Sequence, residues 1–151
     1  MFFKGINIFG SLFLSKNQKL VKKWKQEHAQ IVVLAHSIIA AYSKDDHNTA
    51  KKELEALNNL AIDHLMDEDI QFYRLLKDQM KTDVKTKKLV NEFTKSFKDT
   101  KITLMKFLTK YTRPEAVLDD EFFKTFNAIV AILGERIAFE EENLYIRLDS
   151  K

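Results

Sequence analysis

Residues 54–75 read LEALNNLAIDHLMDEDIQFYRL, and their periodicity decides the fold. Leu54, Leu57, Ala61, His64, Glu68 and Leu75 fall on one face of a helix. Two of them are residues that a buried stripe does not ordinarily carry. His64 and Glu68 stand one turn apart, close enough to act together. The phrase His64-Leu-Met-Asp-Glu68-Asp69, followed by Phe72-Tyr73, returns near the C-terminus as Arg136-Ile-Ala-Phe-Glu140-Glu141, followed by Leu144-Tyr145. In each copy a cationic or metal-liking side chain precedes a carboxylate by four residues. Imidazole nitrogen and carboxylate oxygen are both acceptable ligands for a borderline metal ion. Arginine carries donors only and stays protonated, so the second copy cannot ligate through it. The pattern is that of a metal-site scaffold with half of its chemistry changed.

Three more stretches show the same helical period. From about 17 to 42, Leu20, Trp24, His28, Ile31, Ala35, Ile38 and Tyr42 form one stripe that includes His28. After the polar break Ser43-Lys44-Asp45-Asp46, the quoted helix runs to about Met80. A third stretch, about 83 to 111, offers Leu89, Phe93, Phe97, Leu104, Leu108 and Tyr111, with no histidine. Pro114 ends that region and is expected to open a short helical turn. Asp119 or Asp120 then caps a fourth helix through Phe122, Phe126, Ile129, Leu133, Arg136, Glu140 and Leu148. Four long amphipathic segments with short joints predict an all-α, up-down-up-down four-helix bundle, the architecture that builds metal sites from side chains on facing helices.

Composition agrees with this reading. Three glycines and one proline in 151 residues leave little of the punctuation that a β or α/β chain needs. The length and the 45% hydrophobic content suit one domain, with residues 1–15 as an apolar N-terminal segment and 16–151 as the bundle. Net charge is +3, with acids and bases interspersed, and no basic stripe with interleaved aromatics marks a nucleic-acid surface. The absence of cysteine removes disulfides, thiolate ligands and a cysteine nucleophile, and suits a cytoplasmic location.

Residues 1–15 contain Phe2, Phe3, Ile6, Ile8, Phe9, Leu12, Phe13 and Leu14. The segment is too short to span a bilayer, and it lacks the basic start and small-residue cleavage site of a secretory signal. It is expected to fold over one end of the bundle. The alternatives are a peripheral membrane anchor helped by Lys16, Lys19, Lys22 and Lys23, or a docking segment for a partner or a second copy.

Glu27-His28 with the apolar residues after it, His64 through Tyr73, and the Arg136 to Tyr145 phrase together resemble the motifs of hemerythrin-like, histidine-histidine-glutamate cation-binding domains. The resemblance covers nearly the whole chain. It implies iron as the cofactor and His28, His64, Glu68 and Glu140 as the metal ligands. It also marks two departures. Family members with a complete di-iron site carry histidine at the position of Arg136, and their third helix supplies further ligands where this chain has Ser96, Phe97 and Thr100. What remains supplies one metal position. His36, eight residues after His28, is turned by about 80° from it and is not a partner; His47 lies in the expected loop.

Two readings of this core stand side by side. In one, His28, His64, Glu68 and Glu140 hold an iron ion, and the protein is a sensor or regulator rather than a carrier. In the other, Arg136 replaces the ion, pairing with Glu140 and with Glu68 across the bundle, and no metal is needed. That second reading makes the chain a metal-free interaction module, with a weaker likeness to Rsd/AlgQ-type anti-sigma regulators carried by Leu20-Val21-Lys22-Lys23-Trp24 and by Arg136-Ile137 with Glu140. A genuine iron enzyme, for instance in peroxide or nitric oxide chemistry, is the third reading and the least supported because ligands are missing; neither a phosphate-binding loop nor a serine-histidine-acid arrangement is present.

Overall fold

The computed structural model describes residues 14–149. The apolar segment 1–15 therefore lies outside the described residues except for Leu14 and Ser15. Helix α1 spans Lys16–Ser43, α2 His47–Thr82, α3 Val84–Tyr111 and α4 Asp120–Phe139. A π-helical turn, Glu140–Leu144, joins α4 to a final short helix α5, Tyr145–Asp149. No described helix is long and apolar enough to cross a membrane.

Each boundary has a local cause. Ser15 and Gln18 form a capping box on α1, each side chain accepting from the other's backbone N–H. At its far end Asp45 takes the left-handed conformation, φ 61°, which an aspartate tolerates better than most residues. The Asp46 N–H then reaches back to the Ala41 carbonyl at 2.9 Å and closes the last turn. Asp46 in turn caps α2 through the Thr49 N–H. His47, expected in the loop, is instead the first residue of α2, with its ring stacked on Tyr42. Asp83 alone separates α2 from α3; its extended backbone breaks the helix while its carboxylate accepts from the N–H groups of Lys85 and Thr86. Of the two candidate caps for α4, Asp119 does the work, accepting from the Phe122 N–H at 2.9 Å. Pro114 lies in a non-helical turn rather than opening a helical one.

Contacts across the joints run in reverse order, which makes neighbouring helices antiparallel. Lys23 meets Asp67 and His28 meets His64 between α1 and α2; Phe72 meets Phe93 between α2 and α3; Phe107 meets Phe126 between α3 and α4. The ring closes where α4 and α5 return to α1, as in the contact of Tyr42 with Asp120. The result is the expected up-down-up-down bundle.

The buried stripes are interrupted at one level. Below it lies an apolar cluster built on Ile38, Leu54, Leu57, Leu104, Leu108, Phe122 and Phe126. Above it lies a second, built on Trp24, Phe72, Leu76, Phe93, Leu144, Tyr145 and Leu148. Between them α1 places His28, α2 places His64 and Glu68, and the α4 end places Arg136 and Glu140, all buried. Charged groups in a core are sustained only by one another or by an ion, so this layer is where function is to be sought.

Candidate metal centre

The structure brings the four residues singled out in the sequence to one point. His28, His64, Glu68 and Glu140 each offer a ligand atom within 4.8 Å of all the others. The two imidazoles meet edge to face with centroids 4.6 Å apart. Nε2 of His28 lies 3.1 Å from a Glu140 oxygen, and Nε2 of His64 lies 2.8 Å from Glu68 Oε1. That second pair is close without being aligned: neither His64 Nε2 nor Glu68 Oε1 has a hydrogen-bond partner. The two buried atoms are held by charge rather than by an aligned hydrogen bond, and a cation between them would bond to both.

Carboxylates outside the cluster hold both rings. His28 Nδ1 is 2.7 Å from Glu141, and His64 Nδ1 is 2.8 Å from Glu27. A carboxylate on Nδ1 favours donation there, so that when the ring is neutral the Nε2 lone pair faces the centre, the usual support of a ligating histidine. The Tyr145 hydroxyl donates to Glu68, and its oxygen lies 3.2 Å from His28 Nε2, with its ring stacked on that of His28. Replacing Glu27 or Glu141 by glutamine keeps the shape and weakens the orienting bond. Metal affinity, followed by competition with a chelator, is expected to fall by about 10- to 100-fold in either variant. Unchanged affinity would mean that the rings are held by packing alone.

Glu27, Glu141 and Tyr145 were not anticipated as part of the centre. In the run Glu140-Glu141-Glu142, Glu140 points inward and Glu142 is exposed. Glu141 adds a contact because its half-buried side chain reaches over the flank of α1. Tyr145 depends on the π-turn. On a regular α-helix, five residues rotate the chain to about 140° away from the starting face. Here the Tyr145 N–H bonds to the Glu140 carbonyl, so Tyr145 returns above Glu140. Helix α2 supplies the contrast: Tyr73 follows Glu68 by the same five residues on regular helix and is 72% exposed, whereas Tyr145 is fully buried.

The charges interlock. Burial opposes charge on His28, but its contacts with Glu140 and Glu141 outweigh that cost and raise its pKa above the ordinary imidazole value. His64 behaves likewise, with Glu68 and Glu27 outweighing burial. Burial would raise Glu68, yet His64 holds it below the usual carboxylate range. Glu140 is pushed up to about 7 by burial and by the negative charge of Glu68. Burial and Glu68 together keep Tyr145 protonated far beyond the ordinary phenol range.

Arg136 makes the contacts expected of it. Its Nε is 3.2 Å from Glu140 and its Nη2 3.9 Å from Glu68, while the guanidinium lies over the Phe93 ring at 4.9 Å. Around the centre, Glu27, Glu68, Glu140 and Glu141 set four carboxylates against one guanidinium and two imidazoles, and a divalent cation would take the place of the protons that the imidazoles give up. Two imidazole nitrogens and two carboxylate oxygens suit a borderline transition-metal ion better than a hard alkaline-earth ion. The third helix adds no ligand to this group, and its Asp99 is exposed. Comparison of the chain with protein-family models, curated proteins and solved structures finds no match.

Proposed function

We propose that this chain is a hemerythrin-like metal-binding protein that holds a single iron ion at His28, His64, Glu68 and Glu140 and serves as a sensor or regulator. The observation that carries the reading is the convergence of four buried ligand atoms, two of them unsatisfied, with each histidine oriented by its own carboxylate. A bound iron would supply a redox-variable Lewis acid. The chain's part is to present two neutral Nε2 atoms, keep Glu68 ionised, release the proton that Glu140 holds, and exclude water with the apolar clusters on either side. Because the ligands come from α1, α2 and the α4 end, a change in occupancy alters how strongly these helices are drawn together. That change is the signal a partner would read.

The test is elemental analysis of the purified full chain, before and after anaerobic reconstitution with ferrous iron, beside a His64→Ala, Glu68→Ala variant. One iron per chain in the wild type and none in the variant supports the reading. No metal in either, with wild-type stability indifferent to chelator, overturns it. The reading that would then stand is the metal-free module, favoured by one specific contact, the buried bond from Arg136 to Glu140. In that case Arg136 permanently neutralises the layer, and function lies on the surface.

A further inference from the structure

Beside the candidate centre, between α2, α3 and the α4 end, lies a cavity of about 450 Å³. Its walls include Phe72, Val90, Phe93, Phe97, Met105 and Leu144. A volume of this size is that of a small-molecule site. Exposed Tyr73, Thr94 and Lys98 stand among the lining, so the mouth lies between α2 and α3. At one end Arg136 and Lys101 flank Asp69, so two cations stand against one carboxylate. Arg136 is almost wholly buried, and its Nη2 has no hydrogen-bond partner. Asp69 pairs with Lys101 and stands 3.8 Å from that Nη2, so a carboxylate already occupies the space between the two cations without completing the guanidinium's bonds.

We propose that this cavity binds a small amphiphile with an apolar body and a single carboxylate head, such as a straight-chain fatty acid. The body lies against the phenylalanines, and the head takes hydrogen bonds from Arg136 and Lys101, with half-exposed Asp69 swinging out to solvent. Guanidinium and ammonium donors select an anion, since charge-assisted bonds of this kind are about twice as strong as neutral ones. Glu68 and Glu140 behind Arg136 disfavour a doubly charged head such as a phosphate. This occupancy does not depend on metal, although Arg136 is common to both sites.

The experiment is calorimetric titration of the chelator-treated full chain with decanoate, decanol and decylamine, each below its aggregation threshold. Decanoate is expected to bind saturably, one per chain and at least tenfold more tightly than decanol, with decylamine weaker still. Shortening the acid should lower affinity by about fourfold per methylene, the value of its burial. Val90→Trp, which fills the cavity wall away from the metal ligands, should weaken decanoate at least tenfold. Asp69→Asn, which removes the competing charge and with it the ion pair to Lys101, should strengthen decanoate several-fold and leave decanol unchanged. The proposal is overturned if acid and alcohol bind within twofold of each other, if no saturable binding occurs, or if Asp69→Asn shifts both ligands equally. Val90→Trp binding like the wild type would also overturn it. Iron content plays no part in any of these readouts, so failure here and failure of the metal reading are separately visible.

Discussion

Ferrous iron at about a thousand times its dissociation constant should raise the stability of the wild-type chain by about 4 kcal/mol, because it binds the folded state alone. For a chain of this size that corresponds to a rise in Tm of roughly 8 to 16 °C. His64→Ala should remove the effect. The substitution deletes one of four ligand atoms and strips Glu68 of the neighbour that keeps it ionised. The measurement is anaerobic thermal unfolding followed by circular dichroism, with and without chelator. The relevant quantity is the iron-dependent increment, so a lower starting stability in the variant does not confuse the result. Equal increments in wild type and variant would place iron binding somewhere other than this cluster.

The increment should also grow with pH. Glu140 has a folded pKa of about 7, above the value of about 4.3 it takes in the unfolded chain. The stability this lends the metal-free protein is complete below about pH 4.3 and is lost as pH rises through about 7. His28 and His64, both raised, act in the same direction: their contribution is complete below about pH 6.5 and is lost as pH rises through their folded values. Glu68 is lowered, so its contribution is present above about pH 4.3 and stays constant through the neutral range. The metal-free bundle therefore weakens as pH climbs from about 5 to 8, while metal binding, which requires deprotonated ligands, strengthens. A larger iron-dependent rise in Tm at about pH 8 than at about pH 6 is the expected outcome. The reverse order would mean that the cluster does not release protons on binding.

The bundle was readable because its core obeys one period. Leu54, Leu57, Ala61, His64 and Glu68 are all buried, and the corresponding stripes of α1, α3 and α4 pack where the pattern put them. The four ligand candidates were readable for the same reason, since each sits on a stripe. What escaped were residues whose roles come from departures from that period or from the reach of a flank. Tyr145 enters the centre only through the π-turn, and the identical spacing of Tyr73 after Glu68 leads to solvent. Glu27 and Glu141 each lie one position off the stripe, and their use follows from how closely α1 approaches α2 and the α4 end. The cavity beside Arg136 arises from how side chains on three helices fill space, which no single-helix pattern records.

Arg136→Met separates the two readings of the buried layer. Methionine keeps length and apolar volume but removes the one guanidinium set against Glu68 and Glu140. In chelator at neutral pH, breaking a buried ion pair by removing one partner should destabilise the chain by about 3 to 5 kcal/mol, measured by denaturant unfolding. The loss should fall near the lower end, because Glu140, already pushed up to about 7, rises further without the arginine and escapes its charge by taking a proton. Ferrous iron then decides between the readings. If the four ligands form a metal site, a divalent ion restores the missing positive charge and most of the stability, and it binds the variant more tightly than the wild type because the repelling cation is gone. If Arg136 is instead the permanent substitute for an ion, iron leaves the variant as unstable as chelator does. Loss of packing against Phe93 lowers both curves equally and cannot imitate the rescue, so the iron-dependent recovery of Arg136→Met reports directly on whether Glu68 and Glu140 are arranged for a metal or for an arginine.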